Sequence, residues 1–291
     1  MGIWSQGTVS ANGLEVFYHR TGGDKPPMLL LHGYTDNGAC WTPLAKVLQA
    51  DYDIIMPDAR GHGQTSGALG TLNTELLAQD TAAIIRALGL GKAIVFGHSM
   101  GGITALALAA NDPDLVLAAV LEDPPFIEAE NFVPSEEQIQ NLEVEKIEKR
   151  AFRELPLEAR IARGRADNPG WSDDELKPWA TAKGEFNLDI VSFHLGFRSY
   201  LWREDIAKVT CPLLLITGDA AKGCFVTPEL AALSEQLCRT CTTAYIGGAG
   251  HCVHRDCFDE TIAAVAAFLN QHIQKEAGTR QSDKGSARGF G

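Results

Sequence analysis

A chain of 291 residues, 45% apolar and 21% charged, is long enough for one large domain, or one domain with an insertion, whose core needs no disulfide support. Its formal charge of −12, with no stripe of Lys and Arg, argues against a nucleic-acid partner. Residues 1–10 carry neither a basic leader nor an apolar run, and no stretch approaches the ~20 apolar residues of a bilayer span, so no membrane association and a cytoplasmic location are expected.

In chain order, apolar runs that are continuous alternate with helical periods, the pattern of a parallel sheet covered on both faces. Strands are predicted at 15–19, 28–31 and 53–56, with a helical stretch near 41–48. A helix follows at 74–88, with Asn73 as N-cap and Gly89 beyond its end. The strand 93–96, a helix after Ser99 and the strand 116–121 complete the first half, and strands 213–217 and 242–246 with a closing helix near 260–273 make the second.

Between residues 124 and 203 strands disappear, and charged helical segments (136–153, 157–163) alternate with aromatics. A structureless loop of that length is improbable, so the segment reads as a helical cap on a core formed by 1–123 and 204–274. Its aromatics, Phe126, Phe132, Trp171, Trp179, Phe186, Phe193, Phe197 and Trp202, either glue the cap to itself or roof an apolar substrate pocket. On the second reading Trp171, Trp179, Phe126 and the cap histidine His194 are candidate substrate contacts. Residues 275–291 have low hydrophobicity and no period and are expected to be disordered.

The seven cysteines (40, 211, 224, 238, 241, 252 and 257) are too sparse for a secreted scaffold and read as buried thiols. Cys238, Cys241, His251, Cys252, His254 and Cys257 have zinc-ligand types, but the strand 242–246 separates the two halves and His251 is wanted elsewhere. No metal and no cofactor are expected.

Gly97-His98-Ser99-Met100-Gly101 lies between a strand and a helix. A serine on that reversal is held on a strained turn with its hydroxyl outward, and the glycines are needed because side chains there would collide with neighbouring elements. Its base should be His251, which follows the last strand in Gly247-Gly248-Ala249-Gly250-His251, at the same sheet edge. Met100 N–H and the Tyr34 amide, after the flexible Gly33, would form the oxyanion hole.

His32-Gly33, the run from Pro57 to Gly63, the Ser99 elbow, Thr217-Gly218-Asp219 and Gly250-His251 together resemble the α/β-hydrolase superfamily, over residues 8–272. The resemblance implies an α/β fold with a mostly parallel eight-stranded sheet flanked by helices, an inserted helical cap, and a Ser-acid-His order. Asp58, Arg60 and Gly63 would brace the loop beside the elbow. The family's usual acid position is Ala221 here. Glu122, at the end of the strand 116–121, is the first choice instead, as in haloalkane dehalogenases and some lactone hydrolases. Asp219 is the second, and Asp123 trails both. A serine at position 99 rules out the dehalogenase mechanism, which needs a carboxylate there.

The function expected is a cofactor-independent hydrolase that cleaves a carboxylic ester or lactone with an apolar moiety, with a small molecule as its partner. The same constellation also serves C–C bond hydrolysis and cofactor-free peroxidase chemistry. A different class is a ligand-binding receptor with a slow triad.

Overall fold

The structure, a computed structural model, describes residues 4–127 and 133–284, so Phe132 and residues 285–291 lie outside it. The chain opens with a hairpin, β1 (Ser5–Ala11) and β2 (Leu14–Arg20). Its turn is Asn12-Gly13, both at positive φ (48° and 74°), which suits the twist of a two-residue hairpin loop. There follow β3 (Pro27–Leu31), a 3-10 turn (Gly38–Trp41), α1 (Thr42–Leu48), β4 (Asp53–Pro57) and the short β5 (Ser66–Gly67). Next come α2 (Thr74–Ala87), β6 (Ala93–His98), α3 (Met100–Asn111) and β7 (Val116–Glu122). As expected, the Asn73 side chain caps α2 by accepting from Leu76 N–H, and Gly89 sits beyond its end at φ 64°.

The inserted segment holds α4 (Glu136–Arg153), α5 (Leu157–Asp167), α6 (Asp173–Glu185), a 3-10 run (Leu188–Ser199) and α7 (Trp202–Ile206). Ser135 and Gln138 start α4 with a reciprocal capping box. The chain closes with β8 (Leu213–Thr217), α8 (Pro228–Leu237), β9 (Cys241–Tyr245), α9 (Val253–Asp256) and α10 (Phe258–Lys284). The last helix runs on past residue 275, where disorder was expected. Among the described residues, no helix is long and apolar enough to cross a membrane.

The sheet order is β1-β2-β4-β3-β6-β7-β8-β9, with β5 paired to β2 off this path. Every pair from β4/β3 to β8/β9 is parallel, while β1/β2 and β2/β4 are antiparallel. The expected eight strands are thus the main path, and β5 is a ninth. Side chains along each inner strand alternate between two cores: Ala93, Val95, Ala119 and Leu121 face one, Ile94, Phe96, Ala118 and Val120 the other. The order reverses direction around β3 and β6, and ligand sites in such sheets gather at that switch, outside the strands' carboxyl ends.

Candidate active site

Ser99 stands between the end of β6 and the start of α3 at φ 54° and ψ −116°, a left-handed backbone that a side-chain-bearing residue rarely adopts. A Cβ on Gly97 would overlap the Gly101 carbonyl, and one on Gly101 would overlap the Leu31 carbonyl, so the turn tolerates only glycine on both sides. His251 reaches this serine from the loop after β9, its Nε2 at 3.0 Å from Ser99 Oγ. Its Nδ1 lies 2.6 Å from Asp123 Oδ2. A carboxylate accepts, so Nδ1 carries the ring proton and Nε2 is left bare to accept the Ser99 hydroxyl proton. Asp123 is fully buried, and its two oxygens also take the N–H groups of Phe225 (3.0 Å) and Val226 (2.9 Å).

The partner of His251 is therefore neither carboxylate given first in the sequence reading. Glu122 is the last residue of β7, directly opposite His98 in the register. By strand alternation it shares the face of Ala118 and Val120, away from Ser99, and binds His254 there: Nδ1 at 2.8 Å from both oxygens and His254 N–H at 2.9 Å. Asp123 is one step further, beside Ser99, and its φ of 38° turns it off the strand. Asp219 is occupied on the far side of the loop, accepting from the Tyr245 hydroxyl and from Gly248 N–H (3.0 Å). Of the residues with zinc-ligand types, His251 and His254 are bound to carboxylates, and among the described residues no group of three His, Cys, Asp or Glu side chains is arranged to hold a metal ion.

A cavity of about 160 Å³ opens at Ser99, lined by Tyr34, Met100, Ile103, Pro125, Ile127, His194, Phe197 and Phe225. Tyr34, Met100 and His194 are thus brought together at this cavity, and Gly33 lies close enough to Ser99 that an added Cβ would touch it. Met100 N–H, in the first turn of α3, has no intrahelical acceptor. Phe126, Trp171 and Trp179 do not line the cavity. Phe126 stacks on Trp202 at 4.1 Å inside the core, Trp171 donates its indole N–H to Asp256 (2.8 Å), and Trp179 packs edge-on to Trp171 and Phe152. These rings hold the insertion to itself, the other role the sequence allowed them, and Trp171 also ties it to α9.

A family model for the alpha/beta hydrolase fold matches residues 26–178. The chain belongs to the α/β-hydrolase fold family. This α/β-hydrolase is 29% identical over 263 residues to the 2-(acetamidomethylene)succinate hydrolase of Mesorhizobium japonicum, covering 86% of this chain and 90% of that protein. It is 29% identical over 282 residues to the N-formylmaleamate deformylase of Pseudomonas putida, covering 92% and 97%. Among solved structures it superposes on the enol-lactonase of Burkholderia xenovorans with a TM-score of 0.69 at 21% identity, over 92% of this chain and all of that one. The last likeness is one of fold alone.

Charged groups that the sequence reading passed over hold the α/β-hydrolase core to its insertion. Burial alone would push the Asp36 carboxyl up, but Arg255 (2.8 Å) and Lys183 (2.6 Å) hold it well below the usual carboxylate range. Lys183 belongs to α6 and Arg255 to α9, so one buried carboxylate ties insertion and core together. Asp58 and Arg60 brace as expected: Asp58 accepts from Gly38 and Gln64 N–H, and Arg60 forms a two-pronged pair with Asp80. Of the cavity residues missed, Ile103, Pro125, Ile127 and Phe225 sit on three different segments, and no periodicity in the sequence joins them.

Proposed function

We propose that this α/β-hydrolase cleaves a carboxylic ester or lactone with a small apolar acyl part, through an acyl-enzyme on Ser99. The observation that carries the reading is the hydrogen-bonded chain Ser99–His251–Asp123, at 3.0 and 2.6 Å, opening onto a mostly apolar cavity. Ser99 Oγ attacks the carbonyl carbon as its proton passes to His251 Nε2, and Asp123 steadies the resulting imidazolium. The amides of Tyr34 and Met100 receive the oxyanion, each donor contributing about 3 kcal/mol to the transition state. Collapse expels the alcohol, which takes the proton from His251. Water then attacks the acyl carbon, gives a proton to the same nitrogen, and releases the acid as the proton returns to Ser99.

A void of about 150 Å³ with aliphatic and aromatic walls holds a benzene-sized molecule, and the Ser99 cavity is of that size. Turnover of p-nitrophenyl esters should therefore be highest for short acyl chains such as butanoyl and fall by at least tenfold for decanoyl. A profile that rises with chain length sinks the short-acyl reading. No turnover of any ester or lactone, or turnover that survives Ser99→Ala, sinks acyl transfer through Ser99.

A second reading is favoured by the two relatives at 29% identity, named for an acetamido and an N-formyl substrate: hydrolysis of an N-acyl group on a small carboxylate. Such a substrate needs cationic partners, and no Lys or Arg is among the described residues that line the Ser99 cavity. A kcat/KM on N-formylmaleamate above that on p-nitrophenyl butanoate would reverse the order of the two readings.

A further inference from the structure

His251 must hold Nε2 at one place from a loop that contains Gly247, Gly248 and Gly250 and lies between β9 and α9, outside any hydrogen-bond ladder. Glycine-rich backbone has many alternatives to the observed path, so something else fixes the loop. The peptide before the histidine is tied by Gly250 N–H to Asp256 Oδ2 (2.7 Å) and by the Cys224 thiol to the Gly250 carbonyl (3.0 Å). The His251 carbonyl itself accepts from His98 Nε2 at 2.9 Å. Three residues later, Glu122 takes both the backbone N–H and the ring Nδ1 of His254.

His98 and Glu122 are register partners at the ends of β6 and β7, each immediately before Ser99 and Asp123. The two strand ends therefore present two consecutive residues apiece to one loop. On one face they offer the groups that meet the imidazole of His251, on the other the groups that meet the backbone of His251 and, three residues on, His254.

The His98 contact is fixed in kind as well as in place. A carbonyl only accepts, so Nε2 carries the proton and Nδ1 is bare. Nδ1 is buried without a hydrogen-bond partner among the described residues, and a Cβ on Gly33 would come within 2.9 Å of it. A second proton there would bury an unpaired cation 4.7 Å, ring to ring, from His251, and burial pushes the His98 pKa down to about 3. The ring therefore stays a neutral donor over the range in which a histidine base works.

We propose that His98 and Glu122 are positioning residues of this active site, His98 holding the carbonyl of His251 and Glu122 holding the following turn through His254. The inference rests on His251 being the base that activates Ser99. It makes the elbow histidine a specific part, since most side chains at position 98 could not donate to that carbonyl.

The test compares wild type with His98→Leu, His98→Asn and His98→Gln. Leucine has no donor, the asparagine amide is too short to reach, and the glutamine amide extends to about where Nε2 stands. In each, kcat and KM on p-nitrophenyl butanoate are measured on folded protein, and the low-field proton resonance of His251 Nδ1–H against Asp123 is recorded without substrate. His98→Leu and His98→Asn should lose about 10²-fold in kcat, the scale of a misplacement near 1 Å, with KM within threefold, and should broaden or lose the resonance. His98→Gln should recover both to within about fivefold of wild type in rate. If leucine does not fold at this position, the asparagine and glutamine pair decides alone.

A resonance indifferent to the residue at 98, or a glutamine no better than asparagine, overturns the proposal. A wild type that hydrolyses no ester, in which the resonance still follows the residue at 98, instead overturns the proposed reaction and leaves the positioning role standing.

Discussion

Two carboxylates one peptide apart at the end of β7 face opposite ways, and that single alternation separates their roles. Asp123 meets the imidazole of His251, and Glu122 meets His254. Asp123→Asn should therefore lower kcat by about 10⁴-fold, as expected when a triad acid can no longer hold the right tautomer. Glu122→Gln keeps an acceptor for His254 N–H and should cost no more than about tenfold, and Asp219→Asn should stay within about threefold of wild type. Equal losses in Asp123→Asn and Glu122→Gln, read from steady-state turnover of p-nitrophenyl butanoate, would refute the assignment. Ser99 was legible because Gly97 and Gly101 flank it where a Cβ would meet backbone carbonyls, and His251 because Gly247, Gly248 and Gly250 precede it at the same sheet edge. The acid was not, although the parity of β7 holds a clue: Glu122 shares the face of Val120, while the register carries Asp123 out beside Ser99. Two adjacent acids at a strand end say nothing about which one leaves the strand, since that depends on a backbone angle.

At the scale of elements, α6 is tied to the core by a buried carboxylate. Asp36, 6% exposed at its side chain, is shared between Lys183 of α6 and Arg255 of α9. Asp36→Asn strips two nearly buried cations of their charge partner and should cost about 3 to 5 kcal/mol in urea denaturation. Lys46→Met breaks the pair between α1 and Asp174 at the start of α6, where both side chains are about half exposed or more, and should cost less than about 1 kcal/mol. A cost for Lys46→Met that matches Asp36→Asn would mean that α6 is held by its surface contacts. The helical nature of this segment was plain from its charge and its caps, but the destination of its aromatics was not. Nothing in the sequence separates Trp171 and Trp179 from rings that roof a pocket, and only the indole bond of Trp171 to Asp256 and the edge-on packing of Trp179 on Trp171 and Phe152 reveal a structural role.

Across the whole molecule, the parallel strands announced themselves as apolar runs because both of their faces are covered. The edge strand β1 escaped because its residues are mostly exposed, with a period too shallow to stand out from a loop. The same burial that made the inner sheet readable also sets how the protein responds to acid. Burial pushes the Glu122 carboxyl up, but the charge and hydrogen bonds of His254 bring it to about 2, against an ordinary 4.5, and Asp36 is held well below its ordinary value too. A carboxylate with a lowered folded pKa contributes stability that is complete above its unfolded pKa and is lost as pH falls toward the folded one. The urea midpoint should thus fall as pH drops from about 5 to about 2, and fall less in Glu122→Gln. Asp58 runs the other way, since burial raises it from 3.8 to about 6 and its contribution fades as pH rises through that window. A midpoint that is flat between pH 5 and 2, or that falls as steeply in Glu122→Gln as in wild type, would refute the role given to Glu122.

The reacting groups are also spread unevenly along the chain. Ser99 and Asp123 lie on neighbouring strands in its first half, whereas His251 arrives only after β9 has paired with β8. On the proposed mechanism, during synthesis from the N-terminus the serine therefore emerges, and its elbow can form, while the histidine that would activate it is still unmade. On that mechanism a ribosome-bound or prematurely ended chain that lacks β9 and the loop after it would carry Ser99 in an inert form.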